Sequence, residues 1–155
     1  MYSPEGFAIG NWELFAKANK SIFAKGKYIN GLPDGLWTLW DTGGTKNAEF
    51  LFANGKLHGE YRLFYSSFTP EVSGKLKTIG SAYEGILEGT FKRYNPDGST
   101  LVEYTAKSES VVNVSTGDRY TATKQLSADR RYIDLLVETI IAVPQRQSEN
   151  KKANK

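Results

Sequence analysis

The sequence contains no cysteine and only one histidine among its 155 residues. Without cysteine no disulfide framework can form, and nothing points to an oxidising compartment. No apolar run approaches the length of a membrane span. The first residues also lack the basic and apolar segments of a signal peptide. Together with the chain length, these absences predict a single cytoplasmic domain.

The net charge is small and unevenly placed. The chain carries a formal charge of +3, and the segment after Val143 alone accounts for +3, so the remainder is formally neutral. A nucleic-acid-binding protein would show a basic stripe on its folded part. The charge pattern therefore predicts no nucleic-acid partner.

Motifs that carry chemistry are missing as well. The sequence has no G-x-S-x-G, P-loop or H-E-x-x-H motif. His58 stands alone, whereas zinc and nucleophilic sites need several convergent ligands or a base with its orienting partner. We interpret His58, and likewise Glu84 and Glu88, as turn residues. We therefore expect no enzymatic activity, no cofactor and no metal.

Glycine and aromatic residues, by contrast, are abundant and follow a repeated pattern. A G-x-x-x-G pair occurs four times, and an aromatic residue follows each second glycine after two positions and again after five. The second glycines are 25, 24 and 30 residues apart, which is the range of repeat proteins. The pairs are Gly6/Gly10, Gly31/Gly35, Gly55/Gly59 and Gly85/Gly89.

Each repeat predicts a strand, a turn and a second strand. Asn30-Gly31 and Asn54-Gly55 accept positive φ at low cost and predict tight turns. Residues 36–39 alternate as in a strand with two different faces. A single hairpin is only marginally stable in water, so the units should stack into a long antiparallel meander. Trp37 and Trp40 are predicted to be substantially buried in it.

The segment Gly26-Lys27-Tyr28-Ile29-Asn30-Gly31, followed by Gly35, resembles the MORN repeat core Y-x-G-x-W-x-N-G-x-x-x-G. The aromatic residue after the second glycine is more similar to the bacterial variant of YwqK-like proteins. The resemblance covers roughly residues 6–104, with departures at Phe50, Glu84 and Arg93. It implies an elongated single-layer sheet and a non-catalytic binding role. The resemblance further implies an antitoxin or immunity partner of a toxin or, alternatively, a scaffold associated with phospholipid.

The pattern changes after Thr105. Residues 111–114 and 119–123 predict one more hairpin, and Ser127 is predicted to cap a helix that Pro144 ends. The rival interpretation of this last segment is a long strand, but apolar residues at helical spacing favour the helix. Its predicted role is a cap over the sheet. The apolar residues are Tyr132, Ile133, Leu136, Val137, Ile140 and Ile141.

The predicted fold class is therefore mainly β, a repetitive antiparallel β-hairpin meander forming a MORN-like open sheet, with a C-terminal hairpin and capping helix. MORN-like hairpin repeats are predicted over residues 1–104, and the hairpin and helix over 105–144. A disordered basic tail is predicted over 145–155, because that segment is too polar to bury a core.

Partner-binding residues are predicted from the surface that a single-layer sheet leaves uncovered. A partial cap should leave a row of aromatic side chains exposed, which is unusual for a soluble monomer. Trp40, Phe64 and Tyr94 belong to such a row. Phe68, in the longer connection 66–73, either folds back on the sheet or contacts a partner.

The predicted partner is one specific protein, with a second copy of the chain as an alternative. Lys20, Lys25 and Lys27 are interpreted as solvated residues that protect the sheet from edge pairing. The alternative for them is a lipid headgroup or an acidic partner.

Overall fold

The structure is a computed structural model that describes residues 1–68, 70–107 and 110–153. Within these residues, 11 strands form one antiparallel sheet, and one helix follows them. This confirms the predicted β-meander with a C-terminal capping helix. The elements are β1 (Gly10–Phe15), β2 (Ile22–Ile29), β3 (Leu32–Trp40), β4 (Lys46–Ala53), β5 (Lys56–Leu57), β6 (Gly59–Phe64), β7 (Leu76–Tyr83), β8 (Ile86–Leu87), β9 (Gly89–Tyr94), β10 (Thr100–Lys107), β11 (Ser110–Asn113) and α1 (Tyr120–Ala153).

The strands pair in the order of the sequence, from β1 at one edge to β11 at the other. The short strands β5 and β8 pair with β4 and β7 just ahead of β6 and β9. Such a sheet has two ends. We call the end with the Asn-Gly turns the turn end, and the end with the connections 41–45, 65–75 and 95–99 the loop end.

The turns at the turn end have the conformation that the sequence predicts. Asn30 and Gly31 have φ angles of 51° and 83°, and Asn54 and Gly55 have 53° and 80°. Two consecutive positive φ angles define the type I′ turn, which matches the twist of a β-hairpin and is favoured by Asn-Gly. The Asn-Gly turns are thereby confirmed.

A repeated hydrogen bond joins each unit to the one before it. The first glycine of a unit donates its backbone N–H to the carbonyl oxygen two residues before the second glycine of the preceding unit. These bonds are Gly31 N to Ala8 O at 2.9 Å, Gly55 N to Pro33 O at 3.2 Å and Gly85 N to Leu57 O at 2.8 Å. The period of the sequence is thus also the period of backbone pairing between units.

An aromatic row forms the core on the face of the sheet that α1 covers, which we call the helix face. Six of its seven members are at most 1% exposed, and Trp12 is partly buried. At one end of the row the rings meet edge to face, as Trp12 and Tyr28 do at 5.4 Å and Tyr28 and Trp37 at 4.9 Å between centroids. At the other end Phe91 and Tyr104 stack with their centroids 5.3 Å apart. The row is Trp12, Tyr28, Trp37, Phe50, Tyr61, Phe91 and Tyr104. Of the aromatic residues two positions after each second glycine, Trp37, Tyr61 and Phe91 are therefore buried and unavailable to a partner, whereas Trp12 is only partly buried.

Helix α1 crosses the strands rather than running along them. Asp129 contacts β9 and β10, Tyr132 donates to Asn47 of β4, and Tyr28 of β2 donates to Ile140 O. The helix therefore runs against the order of the strands. Its 34 residues measure about 50 Å at 1.5 Å per residue. Nine stacked strands are roughly 38 Å wide, so α1 is long enough to span the sheet.

The helix begins earlier than predicted. Asp118 Oδ1 accepts hydrogen bonds from the backbone N–H groups of Tyr120 at 3.0 Å and Thr121 at 3.4 Å. Asp118 thus supplies the N-terminal cap, a position that aspartate favours. The predicted strand 119–123 and the predicted cap at Ser127 are wrong. Strand β11, close to the predicted 111–114, pairs with β10 instead.

Pro144 lies inside α1 and does not end it. The predicted stop is wrong, and the backbone of the predicted disordered tail is helical as far as Ala153, while 154–155 lie outside the described residues. Proline lacks the N–H that would bond the carbonyl four residues earlier. That carbonyl belongs to Ile140, and Tyr28 donates its hydroxyl to it at 2.5 Å. The sheet thus satisfies the acceptor that Pro144 leaves without its helical donor.

We expect Tyr28→Phe to lower the free energy of unfolding by about 1 kcal/mol, because Ile140 O loses its donor. Burial raises the pKa of Tyr28, so the hydroxyl stays protonated and able to donate. Urea denaturation measures the change, with Tyr83→Phe as the control because Tyr83 is exposed. Equal midpoints for the two variants would contradict the role of this hydrogen bond.

Candidate functional site

The three predicted strand residues of the site lie at the same end of the sheet, the loop end. Trp40, Phe64 and Tyr94 are the last residues of β3, β6 and β9. The strand register is irregular at Leu39/Trp40 and at Leu63/Phe64. All three predicted side chains are half-buried. The prediction of strong burial holds for Trp37 but only partly for Trp40, which keeps some surface for contacts.

Phe68 projects from the longest connection at this end. Its side chain is 84% exposed, so the alternative in which it folds back on the sheet is wrong. The backbone beside it is held in place: Phe68 N donates to Ser66 Oγ at 3.1 Å, and Ser67 N donates to Asp41 Oδ2 at 2.8 Å. An exposed aromatic ring therefore sits beside an anchored stretch of backbone.

Asp41 ties two neighbouring connections together. Its Oδ1 accepts hydrogen bonds from the N–H groups of Gly43 at 3.0 Å and Thr45 at 3.1 Å, and its Oδ2 accepts one from the N–H of Ser67. Desolvation raises the pKa of Asp41, but hydrogen bonds from Ser67, Thr45 and Gly43 outweigh it and lower the pKa overall. The carboxylate is thus charged at neutral pH, which strengthens these bonds. A further contact joins Thr45 Oγ1 and Ser73 Oγ at 2.9 Å.

Aromatic rings and cations alternate along the same end. Lys46 Nζ lies 5.4 Å from the centroid of the Phe64 ring, and Lys77 Nζ lies 6.0 Å from that of Tyr65. Tyr65 donates its hydroxyl to the backbone oxygen of Tyr94 at 2.8 Å. Tyr65 thus links the ends of β6 and β9 across β7, and it is a further aromatic residue of the loop end that the repeat pattern did not indicate.

A pocket of about 420 Å³ opens between these strand ends and α1. Its volume lies within the range of small-molecule and side-chain sites. Aromatic and charged side chains line it together, so it can accept an apolar group that also carries a polar end. Lining residues include Phe64, Tyr65, Lys77, Arg93, Asp129 and Tyr132.

A partly buried ion pair connects the pocket to the helix. Arg93 Nη2 lies 3.1 Å from Asp129 Oδ1, and Tyr104 donates its hydroxyl to Asp129 Oδ2 at 3.2 Å. Burial, followed by the charge of Asp129, raises the pKa of Tyr104, so the hydroxyl keeps its proton. The sequence carried a signal for this pair, because Arg93 replaces a leucine of the other repeats. Asp129 lies on the buried side of α1.

The opposite face of the sheet, which we call the outer face, carries paired charges. Lys25 Nζ lies 3.7 Å from a carboxylate oxygen of Glu13, and Lys27 Nζ lies 3.5 Å from one of Asp34. Exposed pairs of this kind contribute little to stability, but they cancel the local charge. The two lysines therefore do not form a cationic patch for an anionic bilayer.

His58 contacts residues of the next turn. Its Nδ1 accepts the backbone N–H of Glu84 at 3.3 Å, and its ring lies 5.0 Å from that of Tyr83. It thus links two successive turns. In the described parts of the chain, no cluster of three potential metal ligands occurs. The one helix described is not long and apolar enough to cross a membrane.

Comparison with models of known protein families finds no match, and comparison with curated proteins finds none either. The resemblance to the MORN repeat therefore stays a prediction from the motif. The architecture itself is that of a single-layer antiparallel meander whose units repeat both in sequence and in backbone pairing.

Proposed function

We propose that this chain is a non-enzymatic protein-binding module that neutralises or inhibits one specific protein partner, as antitoxins and immunity proteins do. The observation that carries the proposal is Phe68, which is 84% exposed beside backbone that Asp41 anchors. An exposed aromatic ring on a fixed backbone loses little conformational entropy on binding. Such rings are among the residues that most often dominate interface energies.

The surroundings of Phe68 support a protein interface. Half-buried Trp40, Phe64 and Tyr94 lie at the same end of the sheet, and the pocket beside them can receive a side chain of the partner. The helix face is occupied by α1. On the outer face Lys25 and Lys27 are paired with acidic residues, which argues against a lipid scaffold.

Affinity capture from the native host, followed by measurement of Kd for the recovered protein, tests the proposal. We expect Trp40→Ala, Phe64→Ser or Phe68→Ser to weaken binding by more than about 2 kcal/mol, which is roughly a 30-fold rise in Kd. Lys25→Glu and Lys27→Glu serve as controls and should change Kd little. Circular dichroism melts confirm that each variant is folded.

Flotation of the same variants with anionic liposomes distinguishes a lipid scaffold from a protein-binding module. If the lysine variants lose vesicle binding and no protein is recovered by capture, the lipid scaffold is the better account. Recovery of the chain itself, with a concentration-dependent mass in sedimentation, would make the partner a second copy.

A further inference from the structure

A second concave surface lies on the other side of α1 from the pocket, towards the turn end. It is a groove of about 770 Å³ between the β7–β8 turn and the first half of the helix. Ile86 and Leu87 line it from the hairpin, and Leu126 lines it from the helix. Ile86 is 54% exposed, so the groove has an accessible apolar floor.

The charged residues of the groove are all cations. Lys124, Arg130 and Arg131 line it, and its described lining contains no acidic residue. Arg130 forms an exposed pair with Asp134 at 3.6 Å. Asp129, on the same stretch of the helix, is buried against Arg93 and does not pair with Lys124 or Arg131. The positive charges of Lys124 and Arg131 therefore lie beside an apolar floor without an acidic partner among the described residues.

Helix stability does not account for this arrangement. The first turn of α1 carries no acidic residue, although acidic groups near a helix N-terminus stabilise it and basic groups do not. Lys124 Nζ lies 4.5 Å from the centroid of the Tyr120 ring, a contact that fixes the cation without neutralising it. The charge remains available to an anionic ligand.

We propose that this groove binds a short acidic peptide segment of a protein partner. An apolar side chain of the segment contacts Ile86, Leu87 and Leu126, and its carboxylates pair with Lys124 and Arg131. The helical part of the lining, 123–131, is about 12 Å long at 1.5 Å per residue, which matches roughly four extended residues. A concave site of this size suits a short peptide segment.

The proposal goes beyond the function proposed above, because the groove and Phe68 lie at different ends of the sheet. Fluorescence anisotropy tests it with a labelled ten-residue peptide of alternating glutamate and leucine. The matched probe replaces every glutamate with glutamine. We expect the acidic probe to bind, and its affinity to fall as salt rises, since exposed charge pairs are screened. The glutamine probe should bind at least about tenfold more weakly.

Variants of the full chain locate the site. Arg131→Glu and Ile86→Ser should each raise the Kd of the acidic probe by about tenfold or more. The milder variants Arg131→Gln and Lys124→Gln should raise it less. Lys92→Glu, a charge reversal on the outer face, and Phe68→Ser should leave it unchanged. A loss with Phe68→Ser would place the binding at the loop end and overturn the proposal.

Three other results would also overturn it: equal binding of both probes, no binding of the acidic probe, or unchanged binding by Arg131→Glu and Ile86→Ser. Vesicles of phosphatidylcholine and phosphatidylserine provide the last arm. If they float the wild-type chain but not Arg131→Glu, and the acidic probe fails to compete, the cations serve a lipid surface instead.

Discussion

Trp37→Ala is expected to lower the free energy of unfolding by about 3–5 kcal/mol, the usual cost of removing a large aromatic side chain from a core. Trp37 is fully buried. Its ring lies directly over Gly26, where an added Cβ would come within 2.1 Å of the indole. Its Nε1 donates to the backbone oxygen of Lys27 at 3.1 Å. The substitution therefore removes both packing and a hydrogen bond between β3 and β2.

Leu36→Ala is the matched control, because Leu36 is the preceding residue on the same strand and is 54% exposed. Its cost should stay below about 1 kcal/mol, as is usual for surface positions. Urea denaturation of both variants measures the difference. If the two midpoints shift equally, the aromatic row on the helix face is not the core of this protein.

Arg93→Met is the second change with a large expected effect. It leaves the Asp129 carboxylate, 5% exposed, without its cationic partner beneath α1. Removing one member of a buried pair costs about 3–5 kcal/mol, because the remaining charge stays desolvated. Arg93 Nε has no hydrogen-bond partner among the described residues, whereas its Nη2 atom pairs with Asp129 Oδ1.

The double variant Arg93→Met/Asp129→Leu should recover most of that loss, since apolar residues of similar size often replace a buried pair without cost. Arg62→Met is the control, because Arg62 pairs with Glu60 in the open, at 2.7 Å. Exposed pairs contribute at most about 1 kcal/mol. A double variant as unstable as Arg93→Met alone would show that the loss does not come from the unpaired charge of Asp129.

The meander could be predicted from the sequence because its determinants are local. Asn30-Gly31 and Asn54-Gly55 specify the type I′ turns by themselves, and the alternation in β2 and β3 specifies the buried side. The regular spacing then sets the stacking, since each turn bonds to the unit before it. None of this requires knowledge of contacts between distant segments.

The boundaries of the helix could not be predicted in the same way. The cap at Asp118 competes with a strand pattern in 119–123, and only the pairing of β11 with β10 decides between them. Continuation through Pro144 depends on Tyr28, which is 112 residues from Ile140. The replacement of a leucine by Arg93 was visible in the sequence, but its reason lies in Asp129 on another element.

The candidate site was predicted in part. The common repeat position brings Trp40, Phe64 and Tyr94 to one end, as expected from the period. The exposure of Phe68 depends on Asp41 and on the hydrogen bond with Ser66, which no periodicity encodes. The pocket was missed because α1 forms one of its walls, and the packing of α1 was not known.

Site-directed photo-crosslinking in the native host tests the central claim most directly. The photoreactive residue p-benzoylphenylalanine replaces Phe68 at the loop end or, as the control, Ile29, which is 48% exposed and lies at the end of β2 near the turn end. We predict one discrete protein adduct from position 68 and none of the same mass from position 29. The same adduct from both positions, or none from position 68, would contradict a protein-binding role for the loop end.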